Sequence, residues 1–187
     1  NDKALFAKPW GFDNFAFLAF MGLNTITAVS PVGGRYRGAA GPVAAYFSEF
    51  ALIRYRVLVV IEYFIALCGI PLPQLAGVSN EQKDLLRDVY INFSVEDALR
   101  VKEIEKTTNH DVKAVEYLIK EKMDAMGMSA VKECVHFGLT SQDINNTATP
   151  YTLRADAHYV YYPLAEAVVP QLKAMDSSEK GVSLRAR

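Results

Sequence analysis

Cysteine is scarce. Cys68 and Cys134 are the only two in 187 residues, and no C-x-x-C pair exists, which excludes a disulfide framework. Both sit in apolar, helix-like runs and read as reduced, buried thiols. A dominant charge sign is missing too. Lys and Arg number 20 against 21 Asp and Glu, for a net charge of −1, so no basic excess exists to displace counterions from a nucleic acid. With 11 Gly and 8 Pro, collagen-like and low-complexity classes are excluded. No apolar run reaches the ~18 residues of a membrane span. Val57–Ile70 is broken by Glu62 and reads as a core helix, so no membrane partner is expected. Phe15–Leu23, after Lys3 and Lys8, has the outline of a secretory signal. Asp2, Asp13 and Asn14 intrude, however, and no small-x-small cleavage site follows. Residues 1–22 are expected to be a poorly ordered extension. Walker and Rossmann glycine loops, hairpin dipeptides and a βαβ rhythm are all absent from the sequence.

What remains is an ordinary globular composition, 51% apolar and 22% charged, long enough to bury a core without metals or disulfides. Helical patterning dominates from residue 42. Pro42 opens a helix expected to run to about Cys68, where Gly69 and Pro71 stop it. Its apolar stripe includes Tyr46, Phe47, Phe50, Ile53, Val57, Val60, Ile61, Phe64 and Ile65, unusually broad for one face. Ser79 with Gln82 forms a capping box, and Ser94 with Asp97 starts another helix. Asn109 is expected to cap a helix whose core face is Val112, Val115, Leu118, Ile119 and Met123. Ser129 is expected to cap a short helix ending at Gly138. Ser141 is expected to cap a last helix, about 142–175, kinked or interrupted by Pro150, Pro163 and Pro170. The fold class is all-α, a bundle of long helices.

Three segments interrupt this pattern in the same way: Ser30-Pro31-Val32-Gly33-Gly34-Arg35-Tyr36, Thr107-Thr108-Asn109-His110-Asp111 and Thr140-Ser141-Gln142-Asp143. Each sets small or hydrogen-bonding residues at an expected helix start, where unpaired N–H groups and the helix dipole favour an anion. Hydroxyls add donors, His110 can exchange a proton near neutral pH, and Arg35 can grip a phosphate or carboxylate with two parallel bonds. Together they suit a small ligand bearing several anionic groups. Each is also an ordinary capping sequence. His136, between Val135 and Phe137, reads by default as a satisfied core histidine, and His158 carries no assignment. His110, Asp111 and Glu116 lack a good metal-ligand spacing, so no metal is expected.

Read with their neighbours, these segments resemble the adenylosuccinate lyase family. The match rests on Thr27-Ala28-Val29-Ser30-Pro31-Val32-x-Gly34-Arg35-Tyr36, on Glu105 through Tyr117 and on Val135 through Asn146, in order and at family spacing. It covers about Leu23 to Met175. The resemblance implies the all-α fumarase/aspartase superfamily: cytoplasmic homotetramers with no cofactor, whose active sites form from segments of three subunits. It implies a three-part division of this stretch, with 1–22 an extension, 23–138 an N-terminal helical domain and 139–187 the start of a long-helix central bundle. The implied reaction is β-elimination of fumarate from the purine nucleotide adenylosuccinate, giving AMP, and from the succinylated aminoimidazole carboxamide ribotide on the route to IMP.

By motif position, Arg35 and Tyr36 would hold the nucleotide. Asn109, His110 and Asp111 would line the substrate pocket, and Thr140 and Ser141 would bind the succinyl carboxylate. His136 matches a family histidine near the pocket. Gly33 stands where the family usually has Asp, which removes a carboxylate able to orient Arg35, and Gln142 replaces a frequent acidic residue. The family's general-acid histidine, in a Thr-His-Gly-Gln segment, would begin just after Arg187, and its catalytic serine lies further on. No catalytic proton-transfer residue is therefore assigned here, and these 187 residues are expected to be inactive alone. Two other readings remain: another lyase of the superfamily, or a non-catalytic helical interaction module from a truncated or decayed lyase gene.

Overall fold

The computed structural model describes residues 28–181, so the expectation for residues 1–22 lies outside the described residues. The chain divides into two compact units, Asn1–Pro42 and Val43–Arg187. In the first, residues 30–40 form successive turns. The N–H of Gly34 donates to the Ser30 carbonyl at 3.0 Å, that of Tyr36 to Pro31 at 2.9 Å and that of Ala40 to Tyr36 at 2.9 Å. Gly33 does not have positive φ, and a Cβ added there would meet only the Ser30 carbonyl, at 3.9 Å. Its backbone therefore does not require glycine.

The second unit is built from helices: α1 (Ala44–Phe47), α2 (Glu49–Leu67), α3 (Asn80–Ile91), α4 (Val95–Thr108), α5 (Asp111–Ala125), α6 (Ser141–Asp156) and α7 (Tyr162–Glu179). Among the described residues there is no strand, as the all-α reading expects. No helix there is long and apolar enough to cross a membrane.

Helix α2 is the hub, packed against α3, α4, α5 and α6. Its Val57, Val60, Ile61 and Phe64 are completely buried, each contributing roughly 1.5–3 kcal/mol by leaving water. All five expected core residues of α5, Val112, Val115, Leu118, Ile119 and Met123, are buried against it. Glu116 is buried as well, held between the ammoniums of Lys113 at 2.8 Å and Lys120 at 2.9 Å. Burial alone would raise its pKa, but the two lysines overcome this and keep the carboxyl below its usual range. The capping boxes at Ser79–Gln82 and Ser94–Asp97 are both formed.

Several local expectations need correction. The helix expected from Pro42 to Cys68 breaks at Ser48, which is extended (φ −80°, ψ 163°) and accepts the Ala51 N–H at 3.1 Å. A serine hydroxyl competes with the helix for backbone groups and starts a new one instead. Phe47, just before the break, is left exposed. Ser129 caps nothing; its hydroxyl donates to Asp124 at 2.6 Å. A short 3-10 turn, Lys132–His136, follows instead. Gly138, with φ +74°, then swings the chain into α6. Pro150 and Pro170 lie inside unbroken helices. The winding changes only ahead of Pro163, in a five-residue π turn, Ala157–Tyr161. There the Tyr162 N–H reaches back to the Ala157 carbonyl, which accommodates a proline that has no N–H and crowds the preceding turn.

Candidate functional site

The junction between α4 and α5 is built by two adjacent residues with different backbones. Asn109, expected to cap α5, instead closes α4 in the left-handed region (φ 50°, ψ 31°), its N–H bonded to the Glu105 carbonyl at 2.8 Å. Asparagine tolerates that conformation better than most residues. The cap of α5 passes to His110, extended at φ −150°, whose Nδ1 accepts the Lys113 N–H at 3.2 Å. With Nδ1 accepting, Nε2 is the ring nitrogen left to donate. Nδ1 also lies 3.6 Å from Asp111 Oδ1, but two acceptors form no bond.

Asp111 begins α5, and both its carboxylate oxygens are held. Oδ1 accepts the Val112 N–H at 2.8 Å, and Oδ2 pairs with Arg56 Nη2 at 2.7 Å. Partial burial pushes its pKa up, but the Val112 N–H and the Arg56 guanidinium outweigh that and keep it ionised below the usual range. Arg56 is a buried residue of α2, 7% exposed, and its Nε donates to Asn145 Oδ1 of α6 at 2.9 Å. The sequence reading did not single out Arg56 or Asn145. A signal was present: Arg56 falls on the stripe Ile53, Val57, Val60, Ile61, Phe64, and a charge on a buried face needs a partner.

At the start of α6 the cap is Thr140, not Ser141. The Thr140 hydroxyl donates to Asp143 Oδ2 at 2.7 Å and accepts the Asp143 N–H at 3.4 Å, while the Thr140 N–H donates to Oδ2 at 2.8 Å. Aspartate at the third helical position closes this capping box, which a one-residue shift of the expected boundary hid. The Thr140 hydroxyl is thus engaged internally. That of Ser141 makes no hydrogen bond among the described residues.

His136 lies at the end of the 3-10 turn. Its Nδ1 is buried without a hydrogen-bond partner among the described residues. Burial lowers its pKa, with Lys113, Lys120 and His110 adding to this and Glu116 opposing it. It is therefore not the satisfied core histidine of the default reading.

In the second unit Arg56 thus holds Asp111 and Asn145, with His110 next to Asp111 in the chain and Ser141 one turn before Asn145 on the same face of α6. The side chains of His110 and Asp111 are about half exposed, open to a ligand. Arg35 and Tyr36 belong to the first unit, where both are exposed. The Arg35 guanidinium sits 5.3 Å from the centre of the Tyr36 ring, a cation–π arrangement. An apolar groove of about 300 Å³, lined by residues including Tyr63, Leu139 and Ile144, contains none of the expected binding residues. Among the described residues, no group of three His, Cys, Asp or Glu is placed to hold a metal.

Comparison with known proteins follows the same residues. Residues 34–182 match the family model described as "Lyase". The chain is 46% identical over 170 residues to the adenylosuccinate lyase of Dictyostelium discoideum, across 88% of this chain and 36% of that one. It is 40% identical to that of Vibrio cholerae and 37% identical to that of Haemophilus influenzae, each across 89% of this chain and 37% of the relative. It thus spans little more than a third of the length of these relatives. By its family match and these identities, the chain belongs to the lyase family.

Proposed function

We propose that the protein carrying this stretch is an adenylosuccinate lyase, cleaving adenylosuccinate to AMP and fumarate. In the proposed reaction a proton leaves the carbon beside a carboxylate, the C–N bond breaks and the nitrogen is protonated as it departs. The developing negative charge on that carboxylate needs fixed donors around it, which in this reading come, like the proton-transfer groups, from elsewhere in the protein. The observation that carries the reading is the cluster around Arg56. It presents a histidine, a serine hydroxyl and an amide as donors that suit the carboxylates of a polar ligand, while the Asp111 carboxylate is tied to Arg56 and the Val112 N–H. Relatives named adenylosuccinate lyase, at up to 46% identity, support the choice of substrate.

In this proposal Arg35 and Tyr36 hold the nucleotide. Asn109, His110 and Asp111 line the pocket, and Thr140 and Ser141 receive the succinyl carboxylate, with His136 nearby. Thr140 takes part by releasing Asp143. The residues of this stretch grip the substrate, and the proton-transfer groups come from elsewhere in the protein. Residues 139–187 open the central bundle after an N-terminal domain over 23–138. The uncovered apolar side of α7 supports a bundle completed in a homotetramer. The succinylated carboxamide ribotide as second substrate, the absence of a cofactor and a cytoplasmic location belong to the same reading.

The test is fumarate release by the native-length protein offered adenylosuccinate and, separately, argininosuccinate. Release from adenylosuccinate, with none from the 187-residue chain alone, is the expected result. A native-length protein that cleaves only argininosuccinate, or neither, overturns the proposal.

A further inference from the structure

The carboxylate-binding donors expected from the motif were Thr140 and Ser141, yet the Thr140 hydroxyl is already given to Asp143. Another donor stands close by. Asn145 lies four residues after Ser141, on the same face of α6. Its Oδ1 faces Arg56 Nε at 2.9 Å. A guanidinium has donors only, so this contact settles which way round the amide lies. The oxygen turns inward and the NH2 group, which has no acceptor among the described residues, is left as a donor on the face of α6 that also carries Ser141. The same guanidinium pins Asp111 through Nη2 at 2.7 Å. Arg56 itself is 7% exposed, so it is shut away from the substrate.

Resting on the functional reading above, we infer that Arg56 is a positioning residue. It fixes the Asn145 amide so that its NH2 group, with the Ser141 hydroxyl, forms the donor pair for a substrate carboxylate, and it holds Asp111 across the same site. The planar fork matters here: one edge of the guanidinium, Nε and Nη2, serves two partners on two helices, α5 and α6. A lysine presents a single ammonium on a flexible stem and cannot hold both in a fixed geometry. Neither Arg56 nor Asn145 requires a role in proton transfer. Both act on how the ligand is held.

The test uses the native-length protein with variants Asn145→Asp, Arg56→Lys and the pair together. Steady-state kinetics with adenylosuccinate are read alongside equilibrium binding of fumarate. Asn145→Asp keeps an oxygen facing Arg56 and puts a second, negatively charged oxygen where the NH2 group was, so Arg56 keeps its partner while the donor is replaced by a group that repels a carboxylate. The expected result is a rise of about tenfold in KM and in the fumarate Kd, with kcat reduced much less and the melting temperature unchanged. Arg56→Lys is expected to weaken binding by a similar factor. Adding Asn145→Asp to it should cost less than about twofold more, because the amide is no longer held. If Asn145→Asp binds fumarate and turns over substrate as the wild type does, the inference is overturned while the functional reading stands. Multiplicative losses in the double variant overturn the link between Arg56 and Asn145. A wild-type protein that binds no fumarate overturns both the functional reading and this inference.

Discussion

Helices α2 and α7 are of similar length and both carry regularly spaced apolar residues, yet they end in opposite environments. In α2, Val57, Val60, Ile61 and Phe64 are fully buried. In α7, Leu164, Val168, Leu172 and Met175 repeat every three or four residues, and each is about half exposed or more; that helix has no buried residue. The periodic pattern states in both cases that one face needs a cover. For α2 the cover is local: α3 to α6 follow within the same unit. For α7 it is not among the described residues. Periodicity records that a helix will be packed and is silent about what packs it.

The largest effect expected in the 187-residue chain is the contrast between these two helices. Phe64→Ala should cost about 3–5 kcal/mol in urea unfolding, as a large cavity opens in the core. Leu172→Ala should cost under about 0.5 kcal/mol, as at an exposed site. Equal losses would mean that α7 is packed and would erase the distinction. If the proposed bundle covers α7, the gap should narrow in the native-length protein.

Next comes Glu116, charged yet buried beside α2. Its folded pKa lies below its unfolded value. Its contribution is therefore complete above about pH 4.5 and is lost as pH falls through the folded value. Replacement by Gln should cost about 1–3 kcal/mol at neutral pH and flatten the acid limb of the stability–pH curve. An acid limb unchanged in Glu116→Gln would assign acid sensitivity to other carboxylates.

Smaller is the cap of α6. Thr140→Ala removes a hydroxyl from a capping box and should cost about 1 kcal/mol, measured by thermal unfolding. The smallest effect belongs to the first unit. Gly33→Asp should change stability by less than about 0.5 kcal/mol, since the backbone there does not depend on glycine and the added Cβ meets only the Ser30 carbonyl, at 3.9 Å. A large loss would show that Gly33 is held more tightly than its surroundings indicate.

What was legible in the sequence follows the range of the interaction. The capping boxes at Ser79 and Ser94 and the core face of α5 are set within one or two turns of helix, and they were read correctly. The break at Ser48 was hidden because an apolar stripe runs straight through it. At Asn109-His110 and at Thr140-Ser141 two neighbouring residues could each cap. Which one does so depends on how the preceding segment arrives, and pattern alone does not carry that information. The π turn ahead of Pro163 was missed because a proline announces an interruption without specifying its form. The expected binding residues Arg35, Tyr36, Asn109, His110, Asp111, Thr140 and Ser141 were named from local motifs, each contained within a few residues of chain. The guanidinium that joins Asp111 to Asn145 was overlooked, since Arg56 and Asn145 are 89 residues apart and only the fold brings them together.

The central claim is that this stretch holds the substrate and does not perform the proton transfers. The most direct measurement is the separation of kcat from KM for Ser141→Ala in the native-length protein acting on adenylosuccinate. The expected result is a KM raised by about tenfold with kcat within a few-fold of the wild type, the signature of a lost binding contact. A collapse of kcat by several orders of magnitude with KM unchanged would contradict it and place Ser141 in the chemical step.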